Sequence, residues 1–383
     1  MLSDKTKIQK NKETNLMNIV EIRKQVVEFV EEQVDKIVHE EKAKYKLLHF
    51  ATMSHNLFNF MPKLPGSEHW SIYKRILRDR ILSMNNDYFL TFNYQAMMRN
   101  LSKESLSPYL PAIIASFHFG DRTGYFFPII RENLNVALLS GYAGEGLMKK
   151  QEETDKQVAF TKRFYPQSTT KIELLSYTSK TLFFDMIKKI NEGYSIMWFP
   201  DWTDKYVNPE ECVEVSFLGR QIYIPKGLAL FSLMSKRPII PLFSFYDEEM
   251  QPECVIGDLI QPTGAMLKEY IVTATQKLYE QLENNLAQHY DHWEGWFNIH
   301  RFTTGKEMVY DYAIPELNHK NGHKYNINTC LFNFNNNHFV MNRVSGKIIE
   351  LDADMFDKLQ QKQFDTLPND DLRVLYRNGI LVE

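Results

Sequence analysis

The chain has 383 residues, 44% of them hydrophobic, and a formal net charge of −3 at pH 7. This near-balance excludes the strong basic excess of nucleic-acid-binding domains, and we expect no nucleic-acid partner. Three cysteines far apart in sequence, Cys212, Cys254 and Cys330, do not form a disulfide framework and fit a reducing compartment.

The N-terminal sequence lacks the apolar segment of a signal peptide, and no stretch approaches the ~18 apolar residues of a membrane span. We therefore expect a cytoplasmic protein, and peripheral contact with the inner face of a membrane stays open. Residues 1–15 are predicted to be a disordered tail.

Residues 16–108 are predicted to form a helical N-terminal region. Between Asn18 and Leu48, apolar residues recur at three- and four-residue steps, a pattern typical of an amphipathic helix. Such a helix either packs on the rest of the chain or lies on a membrane surface. The lack of tryptophan and of a strongly basic face favours packing.

An α/β domain is predicted over residues 109–312. Short apolar runs predict strands over 112–117, 136–139, 194–199, 239–245 and 255–256. Helical patterns lie between or after them, over 181–190, 227–235 and 270–287. Because strands alternate with helices, we predict a mixed, largely parallel sheet flanked by helices.

The sequence pattern changes after a linker predicted over residues 313–325. Apolar and polar residues alternate over 326–351, as is typical of a small antiparallel sheet. Two short helices are predicted over 354–360 and 370–378. Residues 326–383 are therefore predicted to be a small α+β module.

The first predicted strand of the α/β domain ends at His118, and Gly120 and Asp121 follow. Histidine side chains commonly serve as general bases near neutral pH, and a nearby carboxylate can fix the imidazole tautomer. Gly120 would let a substrate approach the backbone closely. The alternative is a structural histidine at the end of a strand.

A second apolar run ends at Pro200 and Asp201, with Asp204 close behind. These carboxylates would either hold an acceptor or orient the catalytic group. The alternative is a capped turn, in which aspartate is common.

A third segment carries Gly219 and Arg220, and Lys226 precedes the predicted helix 227–235. Two cations near the start of a helix would favour an anionic group, and the backbone near Gly120 or Gly219 would help to stabilise an oxyanion. The alternative for Arg220 is a surface salt bridge.

Taken in order, these segments resemble the lipid A biosynthesis (lauroyl/myristoyl) acyltransferases of the lysophospholipid acyltransferase superfamily. The resemblance covers roughly residues 100–305. The matching strings are His118-Phe119-Gly120, Pro200-Asp201, Phe217-Leu218-Gly219-Arg220 and the tryptophan-rich stretch from Trp293 to Phe302.

The resemblance implies transfer of a fatty acyl chain from acyl carrier protein or coenzyme A to a hydroxyl. We extend the expected acceptors to amines, and expect an acyl thioester as co-substrate, with no metal or other cofactor. By analogy, His118 is the general base, Asp201 lines the acceptor side, and Gly219 with Arg220 shapes the site.

The chain departs from the family pattern at the acid that follows the histidine. The family has Asp or Glu after four intervening residues, and that position is Thr123 here. The acid partner of His118 is therefore open between Asp121, Asp201 and Asp204, and the further alternative is that His118 acts alone. Thr123, Asp204 and Lys226 join Gly120, Gly219 and Arg220 as candidate substrate-binding residues. The alternative function is a non-catalytic, acyltransferase-like protein that binds a peptide or an acyl carrier partner.

The C-terminal strings 339–352 and 375–382 resemble PqqD-like modules, which bind leader peptides by strand addition. This resemblance implies that the acceptor is a peptide. The alternative is an appendage that stabilises a dimer or covers the core.

Overall fold

The computed structural model describes residues 28–36, 43–84, 106–120, 124–163, 165–203, 205–246, 252–263, 266–303, 322–326, 328–334, 337–342, 345 and 347–382. The predicted tail and most of the predicted linker lie outside these ranges. The predicted domain boundaries stay predictions.

The N-terminal region contributes helices that cover one face of the molecule. Residues 28–36 are helical, and they are followed by α1 (Ala43–Phe60) and α2 (His69–Met84). Val30 and Val34 are fully buried in the main core, as expected of an amphipathic helix that packs on the protein. Residues 18–27 and 37–42 of the predicted helix lie outside the described residues.

A six-stranded sheet forms the centre of the α/β domain. Its strands are β1 (Ile113–Ser116), β2 (Val136–Ser140), β3 (Ile172–Ser176), β4 (Ser195–Trp198), β7 (Ile239–Tyr246) and β8 (Pro252–Ile256). Their order is β3-β2-β4-β1-β7-β8, and all neighbours are parallel except β7 and β8. The predicted mixed, largely parallel sheet is confirmed.

Helices cover both faces of this sheet. They are α3 (Phe126–Arg131), α4 (Gly144–Lys162), α5 (Leu182–Asn191), α6 (Gly227–Ser235) and α7 (Leu267–His289). Side chains of β1 alternate between two cores, Ile113 and Ala115 in one and Ile114 in the other. Residues of α5, α6 and α7 join α1 and α2 in the first core, whereas α3 and α4 contribute to the second.

Several elements of this domain were not predicted from the sequence. Strand β3 and helices α3 and α4 lie between the predicted strand 136–139 and its neighbours, where no element was expected. The segment around Gly219 forms a hairpin of β5 (Cys212–Phe217) and β6 (Arg220–Pro225). Leu218 and Gly219 have φ of 49° and 73°, as the tightest hairpin turns require at both central residues.

The C-terminal residues form the predicted antiparallel sheet, with β10 (Thr329–Phe334), β11 (Asn337–Asn342) and β12 (Ile348–Leu351). Helices α8 (Ala353–Gln360) and α9 (Asn369–Arg377) match the two predicted helices. A two-stranded sheet pairs β9 (Lys324–Tyr325) with β13 (Leu381–Val382).

The C-terminal sheet packs against the N-terminal helices. The Phe50 ring of α1 lies 6.1 Å from the Phe332 ring of β10, and the Leu331 N–H donates to His55 Nδ1 at 3.2 Å. Cys330, Phe332 and Met341 belong to the main core. The C-terminal residues therefore complete the core that α1 begins.

None of the helices in the described ranges is both long enough and apolar enough to cross a bilayer.

Candidate active site

The register of two neighbouring strands brings His118 and Asp201 together. In the parallel pair of β1 and β4, Ala115 lies opposite Trp198. His118 and Asp201 each follow three residues later, so the same register places them side by side at the carboxyl edge of the sheet. Ligands of open α/β sheets bind at this edge.

Asp201 makes two hydrogen bonds with His118. Its Oδ1 lies 2.8 Å from the ring nitrogen Nδ1, and its Oδ2 accepts the backbone N–H of His118 at 2.8 Å. A carboxylate only accepts, so Nδ1 of His118 carries a proton, and in the neutral ring Nε2 is the nitrogen with the lone pair. Among the described residues, none hydrogen-bonds Nε2. The His118 side chain is 19% exposed, whereas that of Asp201 is 1% exposed.

The tryptophan-rich stretch holds Asp201 in place. Trp293 Nε1 donates to Asp201 Oδ2 at 2.9 Å, and the side-chain amide of Asn298 donates to the Asp201 carbonyl at 3.2 Å. The hydroxyl of Tyr279 donates to the Pro200 carbonyl at 3.0 Å. Burial, with a smaller contribution from Asp201, raises the pKa of Tyr279 well above its usual value. Trp293, which the sequence indicated only as part of the family resemblance, therefore orients the carboxylate.

Apolar side chains surround the accessible side of His118. Its ring lies 4.6 Å from that of Phe199 and 5.1 Å from that of Trp202. Trp202 is exposed, and so are Tyr142 after β2 and Tyr177 after β3. Because β3, β2, β4 and β1 are consecutive in the sheet, these aromatic rings lie along the edge that carries His118.

A second histidine–aspartate pair lies behind the first. His292 Nδ1 is 2.6 Å from Oδ2 of Asp79 on α2, and both side chains are buried. A Cβ added to Gly120 would lie 2.3 Å from Asp79 Oδ2. Close approach of Asp79 therefore accounts for the glycine that the sequence analysis assigned to substrate approach.

Asp79 was not among the residues predicted from the sequence, although α2 carries a signal for it. Asp79 and Ser83 continue the stripe of Ile72 and Ile76, at the spacing of one helix face. A carboxylate on an apolar stripe needs a buried partner. That partner, His292, is 213 residues away in sequence.

The remaining predicted site residues are not joined to this pair. Gly219 lies in the hairpin turn, and the exposed Arg220 has its guanidinium 5.8 Å from the Phe60 ring. Lys226 Nζ donates to the Glu210 carbonyl at 2.7 Å. In the described residues, no hydrogen bond, ion pair or ring contact links these three to His118 or Asp201. Their binding roles stay predictions.

Three further candidates, Asp121, Thr123 and Asp204, lie outside the described residues. Within the ranges that the structure does describe, no group of three or more His, Cys, Asp or Glu side chains could hold a metal ion.

Comparison with known proteins agrees with the resemblance seen in the sequence. Residues 155–302 match the family model of the bacterial lipid A biosynthesis acyltransferases. The matched stretch contains Asp201, the β5–β6 hairpin and the tryptophan-rich segment, and it begins after His118. No curated protein matches the chain. The match to this family supports an acyltransferase enzyme.

Proposed function

We propose that the protein transfers a fatty acyl chain from an acyl thioester to a hydroxyl or amine, with His118 as the general base. The donor is an acyl group on acyl carrier protein or coenzyme A. The observation that carries the proposal is the His118–Asp201 pair, because it orients a histidine with one ring nitrogen bonded and the other facing outward.

In the proposed reaction, Nε2 of His118 accepts the proton of the acceptor hydroxyl as its oxygen attacks the thioester carbonyl carbon. A new C–O bond forms, and the carbonyl electrons move onto the oxygen. When they return, the C–S bond breaks and the thiolate takes the proton from the His118 imidazolium. The products are an ester and a free thiol. An amine acceptor gives an amide in the same way.

In the proposed reaction Asp201 is the acid partner of His118, since Thr123 stands where the family pattern has an Asp or Glu. Its carboxylate holds the Nδ1–H tautomer and stabilises the positive charge that develops on the ring. Three N–H groups, from the His118 ring, the His118 backbone and Trp293, donate to this carboxylate. Asp201 therefore has no freedom to turn away from the histidine.

The apolar edge around His118 supports a lipid-like substrate. Trp202 is 40% exposed although it lies against the reactive ring, and Tyr142 and Tyr177 extend the aromatic surface beyond it. Exposed apolar patches mark binding surfaces for ligands, proteins or membranes. An acyl chain held here would place its thioester carbonyl near Nε2.

The acceptor is either a lipid-like molecule or a peptide. The peptide hypothesis depends on the C-terminal resemblance. It gains support from β12, because β12 is an edge strand of the three-stranded sheet and, among the described strands, has a free side on which a peptide strand could add. Deletion of residues 326–383 would be a poor test, because Phe332 packs on Phe50. The expected cytoplasmic location and contact with the inner face of a membrane stay predictions.

The test uses the full chain with octanoyl, dodecanoyl and hexadecanoyl thioesters of acyl carrier protein and of coenzyme A. A hydroxyl-bearing glycolipid and a peptide with serine and lysine serve as acceptors. We expect thiol release and a product that is heavier by one acyl group. The substitution His118→Ala should lower the transfer rate by about 10²–10⁴-fold.

Each outcome of this test has a consequence. Transfer by His118→Ala at the wild-type rate would overturn the assignment of the base. A wild type that neither transfers nor hydrolyses any of the thioesters would favour the non-catalytic binding protein. Acylated glycolipid without acylated peptide would exclude the peptide acceptor.

A further inference from the structure

Three side chains of α2 contact the segment that follows α7, through two ion pairs and one carboxylate–histidine hydrogen bond. Each pair is short, and each joins the helix to one residue between positions 291 and 294. The pairs are Arg75 Nε with Asp291 Oδ2 at 2.9 Å, Asp79 Oδ2 with His292 Nδ1 at 2.6 Å, and Arg80 Nη2 with Glu294 Oε2 at 2.7 Å.

Three of the four side chains in the pairs that Asp79 and Arg80 form are buried. Asp79 and Glu294 are both 0% exposed, and the His292 side chain is 5% exposed. Buried charged groups are costly unless a partner of matching geometry compensates them. Arg80 meets this need for Glu294 with two donors, Nε at 2.9 Å and Nη2 at 2.7 Å. The segment therefore has one favoured position against α2.

The same segment also holds the catalytic histidine. The Glu294 N–H donates to the His118 carbonyl at 2.7 Å, and Phe119 forms an antiparallel bridge with Trp293. Trp293 donates to Asp201 as well. On the other side, the Asp79 side chain fills the space beside Gly120. Contacts thus run without a gap from α2 through residues 292–294 to His118.

From these contacts we infer that Asp79 and Arg80 are positioning residues for the acyl transfer, acting on His118 through His292 and Glu294. The inference rests on the proposed function, since it assigns the residues a part in that reaction. Neither side chain contacts the His118 ring. They fix the backbone from which the ring projects, and therefore the direction in which Nε2 points.

The inference predicts a loss in turnover with little change in donor binding. A displacement of about 1 Å at a catalytic group can lower the rate about 100-fold. We expect binding of the donor's acyl chain at the aromatic edge to be independent of α2. Substitution of Asp79 or Arg80 should therefore lower kcat and leave KM within about twofold.

The kinetic experiment compares Asp79→Asn, Arg80→Gln and Arg80→Lys with wild type, with dodecanoyl-coenzyme A as the donor and thiol release as the signal. Ile76→Val is the matched control, because Ile76 is a fully buried residue of the same helix with no place in the ion pairs. We expect kcat to fall at least about tenfold in Asp79→Asn and Arg80→Gln. Arg80→Lys should recover part of the loss, and Ile76→Val should keep kcat within about twofold.

Arg80→Gln guards against a failure of Asp79→Asn to fold, because the Arg80 side chain is 24% exposed and the glutamine amide can still donate a hydrogen bond to the buried Glu294. Wild-type kcat in both variants would overturn the inference. It would also be overturned if Ile76→Val lost as much kcat as Arg80→Gln at an equal melting temperature.

A second readout does not need turnover. Nitrogen NMR of uniformly nitrogen-15-labelled protein, with His118→Ala for assignment, reports which nitrogen of His118 carries the proton. We expect the Nδ1–H form in wild type and a mixture of tautomers in Arg80→Gln, with faster exchange of the Glu294 amide hydrogen. An unchanged tautomer and amide would overturn the inference, whereas an inactive wild type with these expected signals would contradict only the proposed function.

Discussion

Two histidine–aspartate pairs lie close to the segment from His118 to Gly120, and they differ in access to solvent. The bond from Nδ1 to the carboxylate measures 2.8 Å for His118 with Asp201 and 2.6 Å for His292 with Asp79. The His118 side chain is 19% exposed, and that of His292 is 5% exposed. The second ring nitrogen of His292 lies 3.6 Å from an Asp291 oxygen.

The difference in solvent access separates two roles for a histidine–aspartate pair, a general base and a buried structural contact. A general base must reach the proton that it removes, so only the pair with an accessible nitrogen can act on a substrate. The buried pair is tied to α2 and to the segment that carries Trp293. Pairing alone therefore does not distinguish the two histidines, and the outward-facing nitrogen is what makes His118 the candidate for the proposed base.

Substitution of the acid in the accessible pair should have the largest effect. Asp201→Asn replaces a carboxylate that accepts the Nδ1–H bond with an amide that can favour the wrong tautomer. We expect kcat for thioester turnover to fall about 10²–10⁴-fold. Asp354→Asn is the control, because Asp354 is an exposed residue of α8 paired with Lys358. Equal kcat in Asp201→Asn and wild type would assign the acid to another residue.

A larger side chain at position 120, next to the buried His292–Asp79 pair, should lower the free energy of unfolding. In Gly120→Ala, the new Cβ would lie 2.3 Å from Asp79 Oδ2, and overpacking of this kind costs about 1–3 kcal/mol of unfolding free energy. The substitution should cost less in an Asp79→Ala background, where the obstructing carboxylate is gone. Urea unfolding of the two single variants and the double variant measures the coupling, and strictly additive losses would contradict the contact.

A third histidine, His69, pairs with a hydroxyl rather than with a carboxylate. His69 is buried, its Nδ1 lies 2.7 Å from the Ser54 hydroxyl, and burial lowers its pKa from 6.5 to about 4. Between these two pH values the unfolded chain binds a proton that the folded chain does not. The stability that is present above pH 6.5 is therefore lost as the pH falls towards 4, at a rate approaching about 1.4 kcal/mol per pH unit.

Urea unfolding at several pH values between 7.5 and 4.5 tests this dependence. His69→Gln should reduce the slope of unfolding free energy against pH by up to about 1.4 kcal/mol per pH unit, the amount that one bound proton contributes. An identical slope in the variant and wild type would show that His69 is protonated in the folded state.

Arg220 should have the smallest effect. Its guanidinium is exposed above Phe60, and cation–π contacts at such sites contribute about 0.5–1 kcal/mol. We expect Arg220→Gln to change the unfolding free energy by no more than this amount and kcat by less than twofold. A large fall in kcat would restore the role that the sequence resemblance implied.

Much of the sheet could be predicted from the sequence, because its buried strands are short apolar runs that end in polar residues. The positions of His118 and Asp201 just beyond two strand ends followed from this pattern. The pairing of Asp201 with His118 did not. That pairing depends on the register of β1 and β4, which are about 80 residues apart, and a single sequence does not fix it.

Other features escaped prediction for local reasons. Helix α4 is largely polar and begins at a glycine, so its periodicity is weak. The hairpin turn places a leucine at positive φ, which turn statistics disfavour. Asp79 is recognisable only once α2 is known to be a helix, because it then lies on the same face as the apolar Ile72 and Ile76.

The most direct test of the central claim is chemical rescue of His118→Ala. Formation of the acylated product from dodecanoyl-coenzyme A is measured by mass spectrometry with and without added imidazole. If His118 is the base, the variant is nearly inactive and imidazole restores part of its transfer in a saturable manner, whereas Asp201→Asn is not rescued. Wild-type transfer by His118→Ala in the absence of imidazole would contradict the account.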